Sequence, residues 1–117
     1  LFTGHYPPEQ LDALEEGARR AREVAKNTRF LVWADNQFLG GQYVGDHAGA
    51  TETSFQMFFD PDSIDLDALP DRPLTLDGDG VMGDDPREAS VERGERQLKV
   101  VLENTVSKVN ALLAEIG

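Results

Sequence analysis

The chain has 117 residues, the usual size of one domain, and is long enough to bury about two-thirds of the surface that its unfolded form exposes. Its 11 lysines and arginines against 22 aspartates and glutamates give an acidic protein of net charge −11, which argues against nucleic acid and anionic membrane surfaces as partners. Because cysteine is absent, disulfides and thiolate metal sites are excluded. No apolar run reaches the length of a membrane span or a secretory signal, so we expect a soluble, cytoplasmic protein.

The first long element is a predicted helix from about Pro8 to Lys26. Prolines at its start suit the first helical turn, where a backbone N–H is not needed. Apolar or small residues recur at the spacing of one helix face, at Leu11, Leu14, Ala18, Ala21 and Ala25. The pattern is typical of an amphipathic helix that packs on one side.

A short apolar run follows this helix, from Arg29 to Trp33. The run is too short for a helix and is typical of a parallel strand that is covered on both faces. Together with Leu1-Phe2, interpreted as the end of a preceding strand, it predicts a β-loop-α-β unit. His5 then lies at the carboxyl end of a strand, where open α/β sheets bind their ligands.

The middle of the chain is predicted to be mostly loops. The segment ADNQFLGGQYVGDHAGA after Trp33 is rich in Gly, Asn and Asp, and the residues from Thr51 to Phe59 should form a short helix. Nine aspartates between Asp60 and Asp85 alternate with prolines and glycines, which predicts turns and a short hairpin at PLTLDGDGVM. The DGDG run lacks the ligand spacing of a calcium loop.

The last element is predicted to be one long amphipathic helix from Asp85-Pro86 to Ile116. Its apolar positions have helical spacing, at Leu98, Val101, Leu102, Val109, Leu112, Leu113 and Ile116.

Both histidines, His5 and His47, lie in glycine-flanked loops, and Glu52 follows the second. Imidazole binds divalent metals and transfers protons near pH 7. A nearby carboxylate such as Glu52 can take part in either a metal site or an acid-base pair. The alternatives are structural: a loop histidine can simply brace its loop, and a glutamate in a first helical turn stabilises the helix dipole without any catalytic role.

Three motifs, in this order, resemble those of the creatininase (creatinine amidohydrolase) family. TGHYPPEQ looks like its (N/T)GH segment, DHAGATETS like its HAGxxETS segment, and GVMGDDPREASVERGER is similar to the signature before its last helix. The resemblance runs from Gly4 to Arg96. It implies a metal-dependent hydrolase of amide-type C–N bonds, with a three-layer α/β/α sandwich around a parallel sheet.

The resemblance also implies roles for individual residues. His5 matches a metal-binding histidine, and His47 matches the histidine that moves protons around the scissile bond. Glu52 matches a glutamate that binds the metal or orients its water, and so has a metal-binding and a catalytic role. Tyr43 falls where relatives have an aromatic pocket wall, and Asp46 and Gly49 are placed with it on the substrate-binding side.

The chain departs from the family pattern in two ways. Pro7 stands where creatininase has a ligand glutamate, which disfavours creatinine as the substrate. An N-terminal half that supplies further metal ligands in relatives has no match here, so residues 1–117 are interpreted as a single partial domain, the C-terminal half of a creatininase-like domain. The implied partners are this missing half or another chain, and a homo-oligomer, hexameric by resemblance.

The sequence therefore predicts a metal-dependent amidohydrolase that uses Zn, Mn or Fe. The expected reaction is hydrolysis of a cyclic or formyl-type, non-peptide amide through a metal-bound hydroxide, with a small-molecule amide as substrate. The 117-residue chain alone is expected to be inactive. The alternative is a non-catalytic or incomplete creatininase-fold subunit that acts as a scaffold or partner module.

Overall fold

The computed structural model describes residues 1–4, 7–34, 37, 39 and 45–115. In chain order, its strands and α-helices are β1 (Phe2–Thr3), α1 (Pro8–Val24), β2 (Trp33–Ala34), α2 (Ala50–Phe59), α3 (Leu76–Asp79) and α4 (Val91–Ala114). Within these ranges, 3-10 helices form at Pro61–Ser63, Leu66–Ala68 and Pro86–Glu88. No helix in the described ranges is both long enough and apolar enough to cross a bilayer.

The predicted β-α-β unit is present. β1 and β2 pair in parallel, with Phe2 opposite Trp33 and Thr3 opposite Ala34, and α1 connects them. The prediction of a helix from Pro8 is confirmed, with the end at Val24. Ala18, on the predicted apolar face, is buried with 1% of its surface exposed.

The predicted strand from Arg29 to Trp33 is wrong in its bounds and its burial. The paired residues are Trp33 and Ala34, and Phe30, Leu31 and Val32 are only half-buried. Among the described residues, β1 is the only strand that pairs with β2. With one neighbouring strand, the apolar run is only partly covered. The described structure is mainly helical with a two-stranded parallel sheet, and the predicted three-layer sandwich is not completed within it.

α2 crosses α4 at very short range, and this crossing organises the interior. A Cβ atom on Gly94 would lie 2.1 Å from the backbone oxygen of Ser54. The Gln97 side chain is fully buried and donates to the backbone oxygen of Thr51 at 3.1 Å. Val101 continues the contact toward buried Leu39. The glycine therefore lets the two helix backbones approach, and Gln97 satisfies a buried polar group at the contact.

The long last helix begins later than predicted. Its N-cap is Ser90, whose hydroxyl accepts the Arg93 backbone N–H at 3.1 Å. A 3-10 turn, Pro86–Glu88, precedes it, and Ala89 has an extended backbone that separates the two. Serine at this position supplies the acceptor that a helix start requires, so the helix begins at Val91 instead of at Asp85-Pro86. Ile116, the predicted end, lies outside the described residues.

The predicted hairpin at PLTLDGDGVM is also wrong, because this segment contains the single helical turn α3. The Thr75 hydroxyl accepts the Gly78 N–H at 3.1 Å, and the Thr75 N–H donates to Asp79 Oδ2 at 2.9 Å. Gly80 ends the turn in a left-handed conformation with φ 72°. These reciprocal bonds satisfy the ends of a helical turn within five residues, so no strand partner is needed.

Asp79 links α3 to the preceding loop through Arg72. The two nitrogens of the Arg72 guanidinium each lie 2.8 Å from an oxygen of Asp79. The hydrogen bonds from Arg72, and after them the backbone N–H of Thr75, lower the pKa of Asp79 to about 2. Because this pKa is lower in the folded state, the stabilisation by Asp79 is present above the ordinary aspartate pKa and is lost as the pH falls from about 4 toward 2.

We therefore expect Asp79→Asn to open α3 at neutral pH but to approach the wild type as the pH falls below about 2. Hydrogen exchange of the Thr75 amide, which donates to Asp79, measures this opening directly. Asp77→Asn, at an exposed aspartate of the same turn, is the matched control. Equal protection of Thr75 in the wild type and Asp79→Asn at neutral pH would contradict this account.

The described structure is extended and leaves much apolar surface uncovered. Its radius of gyration is 17.2 Å, against about 13 Å for a compact chain of this length. From Leu102 onward, α4 exposes one-third or more of several apolar residues: Leu102, Val106, Val109 and Leu113. Surfaces of this kind are typical of interfaces.

Candidate functional site

A cleft of about 650 Å³ lies where the amino end of α2 meets the loops around it. It is lined by Gly4, Pro7, Asp46, His47, Glu52, Leu76 and Met82. His47 and Glu52, singled out from the sequence, therefore lie at one cleft. Gly4 follows β1, so the cleft also lies beside the carboxyl end of a parallel strand.

His47 is exposed and is held by its backbone. Its N–H donates to the oxygen of Met82 at 3.0 Å, and the N–H of Met82 donates to the oxygen of His47 at 2.9 Å. The next residue, Ala48, has φ 50°, a conformation that residues other than glycine rarely adopt. Local strain of this kind persists only where surrounding contacts enforce it. It is concentrated at functional sites.

Glu52 lies in the first turn of α2 and is half-buried. Its Oε2 accepts the Ala48 N–H at 2.7 Å, which holds the carboxylate toward the loop that carries His47. None of the described residues donates a hydrogen bond to its Oε1. The amino end of a helix favours a carboxylate at this place, and the second oxygen of Glu52 is left for another partner.

Asp46, the residue before His47, is almost fully buried, with 3% of its surface exposed. Its Oδ2 accepts the Thr51 N–H at 2.6 Å, and its Oδ1 accepts the Glu52 N–H at 3.1 Å. The carboxylate therefore caps α2, whose N-cap residue Gly49 has no side chain for this task. A Cβ on Gly49 would lie 2.5 Å from Asp46 Oδ2, so glycine leaves space for this cap.

Leu76 and Met82 are cleft residues that no motif or pattern in the sequence indicated. Leu76 is 54% exposed and Met82 is 47% exposed, and they add apolar surface beside the polar side chains of the cleft. Met82 reaches the cleft because its backbone pairs with His47 across a long sequence separation. The sequence contains GVMGDDP as a motif, but no periodicity in it indicates this pairing.

Two other predicted site residues, His5 and Tyr43, lie outside the described residues. The residues on either side of the first loop, Gly4 and Pro7, do line the cleft. Within the described ranges, no group of three histidine, aspartate or glutamate side chains is arranged to hold a metal ion. Among the described residues, the cleft has one imidazole, from His47, and two carboxylates, from Asp46 and Glu52.

A comparison with known protein families finds a match. The family model for creatininase, described as creatinine amidohydrolase, matches residues 1–109. No curated protein and no solved structure shows significant similarity to the chain. The family match includes β1, the His47 loop, α2 and most of α4, which together form the cleft and its support. Because this match extends over nearly the whole chain, the protein belongs to the creatininase family.

Proposed function

We propose that the protein is a metal-dependent amidohydrolase that hydrolyses a C–N bond of a small cyclic or formyl-type amide. The observation that carries the proposal is the presence of His47 and Glu52 at one cleft, in a chain of the creatininase family. The imidazole is exposed to incoming substrate, while the carboxylate is oriented by the Ala48 N–H. An accessible base beside a fixed acidic ligand is suited to amide hydrolysis.

Glu52 fits the role of a metal ligand, and Asp46 does not. One oxygen of Glu52 is engaged by Ala48, which leaves Oε1 for a cation, whereas both oxygens of Asp46 accept backbone N–H groups. We expect Glu52 and His5 to contribute to the shell of a Zn, Mn or Fe ion, with further ligands from other residues. When bound, such an ion polarises the amide carbonyl and acidifies water.

His47 is the residue that we assign to proton transfer. Imidazole gains and loses protons near neutral pH, so it can take a proton from the attacking water and give one to the departing nitrogen. The antiparallel pairing with Met82 fixes its backbone without restricting access to the ring. Tyr43 is proposed as an aromatic wall of the substrate pocket, and Leu76 and Met82 line the cleft with apolar surface.

A second candidate is a non-catalytic subunit with the same fold. It is favoured by the extended shape and by the exposed apolar face of α4, which need cover from other structure. In both cases we propose that the three-layer sandwich is completed by an N-terminal half or by a partner chain. A cytoplasmic homo-oligomer, hexameric as the family resemblance implies, is part of the same proposal.

Metal binding separates the two candidates. We expect Mn²⁺ or Zn²⁺, titrated calorimetrically into metal-free protein expressed from the complete native reading frame, to bind the wild type with about one to two ions per chain. Glu52→Gln should weaken this binding by at least about 10-fold, because an amide oxygen is a poorer ligand than a carboxylate. Glu92→Gln, which changes a glutamate in the first turn of α4, is the matched control and should bind as the wild type does.

One result would count against the enzyme, and another would count against the role of Glu52. Absence of binding in the wild type would favour the non-catalytic subunit. Equal affinities of the wild type and Glu52→Gln would remove Glu52 from the metal shell.

A further inference from the structure

We infer that Asp46 is a positioning residue, which holds His47 and Glu52 in a fixed relation. This inference rests on the proposed function, because it deepens the roles of those two residues. It replaces the expectation that Asp46 binds substrate. Three observations support it: the contacts of the Asp46 carboxylate, the ring of hydrogen bonds that links Asp46, Ala48 and Glu52, and the packing around Asp46.

Both oxygens of the Asp46 carboxylate accept hydrogen bonds from the amino end of α2. The carboxylate accepts the backbone N–H groups of Thr51 and Glu52, at 2.6 and 3.1 Å. Hydrogen bonds to a charged acceptor are stronger than neutral ones, and the helix dipole adds to them at this end. The backbone of Glu52 is therefore tied to the residue that immediately precedes His47.

A second hydrogen bond closes a ring around His47. The side chain of Glu52 returns to accept the N–H of Ala48, the residue that immediately follows His47. Glu52 is thus bound on both sides of His47, through its N–H to Asp46 and through its carboxylate to Ala48. The pairing of His47 with Met82 supports the same loop from outside the ring. A displacement of Asp46 would therefore move the proposed base and the proposed ligand together.

Two glycines pack closely against Asp46. A Cβ on Gly49 would lie 2.5 Å from Asp46 Oδ2, and one on Gly83 would lie 2.5 Å from Asp46 Cβ. Gly83 also has φ 104°, which a side chain would strain. Two glycines therefore enclose Asp46 at backbone distance, as expected for a structural support of the site.

The first test is hydrogen exchange of Asp46→Ala in the 117-residue chain. We expect the Ala48 amide, which reports the position of the Glu52 carboxylate, to lose protection by about 10-fold or more. Ser90→Ala is the matched control, since it removes the side-chain cap of α4 and not that of α2. It should leave Ala48 unchanged. Unchanged protection of Ala48 in Asp46→Ala would overturn the inference.

Asp46→Asn keeps the shape of the side chain and one acceptor, and so provides a variant that should fold even if Asp46→Ala does not. We expect an intermediate loss of Ala48 protection, because the amide nitrogen cannot accept the second N–H. Protection equal to the wild type in this variant would also contradict the inference.

Kinetics distinguishes positioning from substrate binding. With creatinine and N-formyl amides as substrates, Asp46→Asn in the complete native reading frame should lower kcat by about 10- to 100-fold, since small misplacements of reacting groups are costly. KM should change by less than about 3-fold. A raised KM with unchanged kcat would restore Asp46 as a substrate ligand. If no variant or wild type hydrolyses these amides, the proposed function fails, while the exchange result still decides the position of Glu52.

Discussion

Gly94→Ala should lower the free energy of unfolding by about 3 kcal/mol or more, the upper range for overpacking a well-packed contact. The added Cβ would lie 2.1 Å from the Ser54 backbone oxygen and 2.8 Å from the Phe58 Cβ. Neither is the flexible end of a side chain, so α2 and α4 would have to separate. The intrinsic preference of helices for alanine, about 1 kcal/mol, is too small to offset this. Urea denaturation followed by circular dichroism measures the change.

Gly17→Ala is the matched control, because Gly17 also lies inside a helix. A Cβ there meets nothing within 4 Å. Helix propensity then acts alone, and we expect a gain in stability of about 0.5–1 kcal/mol. Opposite signs for the same substitution would show that the effect at Gly94 comes from the crossing of α2 and α4. A neutral or stabilising Gly94→Ala would mean that this crossing is looser than the structure has it.

The sequence predicted the elements whose signal is local. The apolar spacing in α1, the short run before β2 and the first-turn glutamate of α2 each depend on a few neighbouring residues. The parallel pairing of β1 and β2 also followed, because the helix between two such runs leaves few other arrangements. The same reasoning failed at α3, where a turn-like composition concealed the reciprocal bonds of Thr75 and Asp79.

The remaining features depend on contacts between distant parts of the chain. Gly94 resembles a weak position in a helix until Ser54 is placed against it, and Met82 has no visible link to His47 before the two backbones pair. Asp46 was predicted to lie on the substrate-binding side, and the sequence did not indicate that its buried carboxylate caps α2. The motifs therefore indicated which residues form the cleft more reliably than how each is held, since the supporting contacts have no periodic signature.

His47→Ala should have the opposite profile to Gly94→Ala, with a large loss of activity and little loss of stability. His47 is exposed, and within the described structure its hydrogen bonds use only backbone atoms, which alanine retains. We therefore expect the free energy of unfolding to change by no more than about 0.5 kcal/mol, as at other surface positions. Loss of a positioned acid or base typically lowers kcat by about 10²- to 10⁴-fold.

The activity of His47→Ala should be measured with creatinine and N-formyl amides, in protein expressed from the complete native reading frame. His47→Gln is the companion variant, since glutamine can form hydrogen bonds but cannot exchange a proton near neutral pH. Both variants should lose kcat to a similar extent, and both should bind Mn²⁺ like the wild type, because the proposed ligands are Glu52 and His5. Full activity in His47→Gln would assign proton transfer to another group. Lost metal affinity in both variants would place His47 in the metal shell. The assignment of proton transfer to His47 and of metal binding to Glu52 would then be wrong.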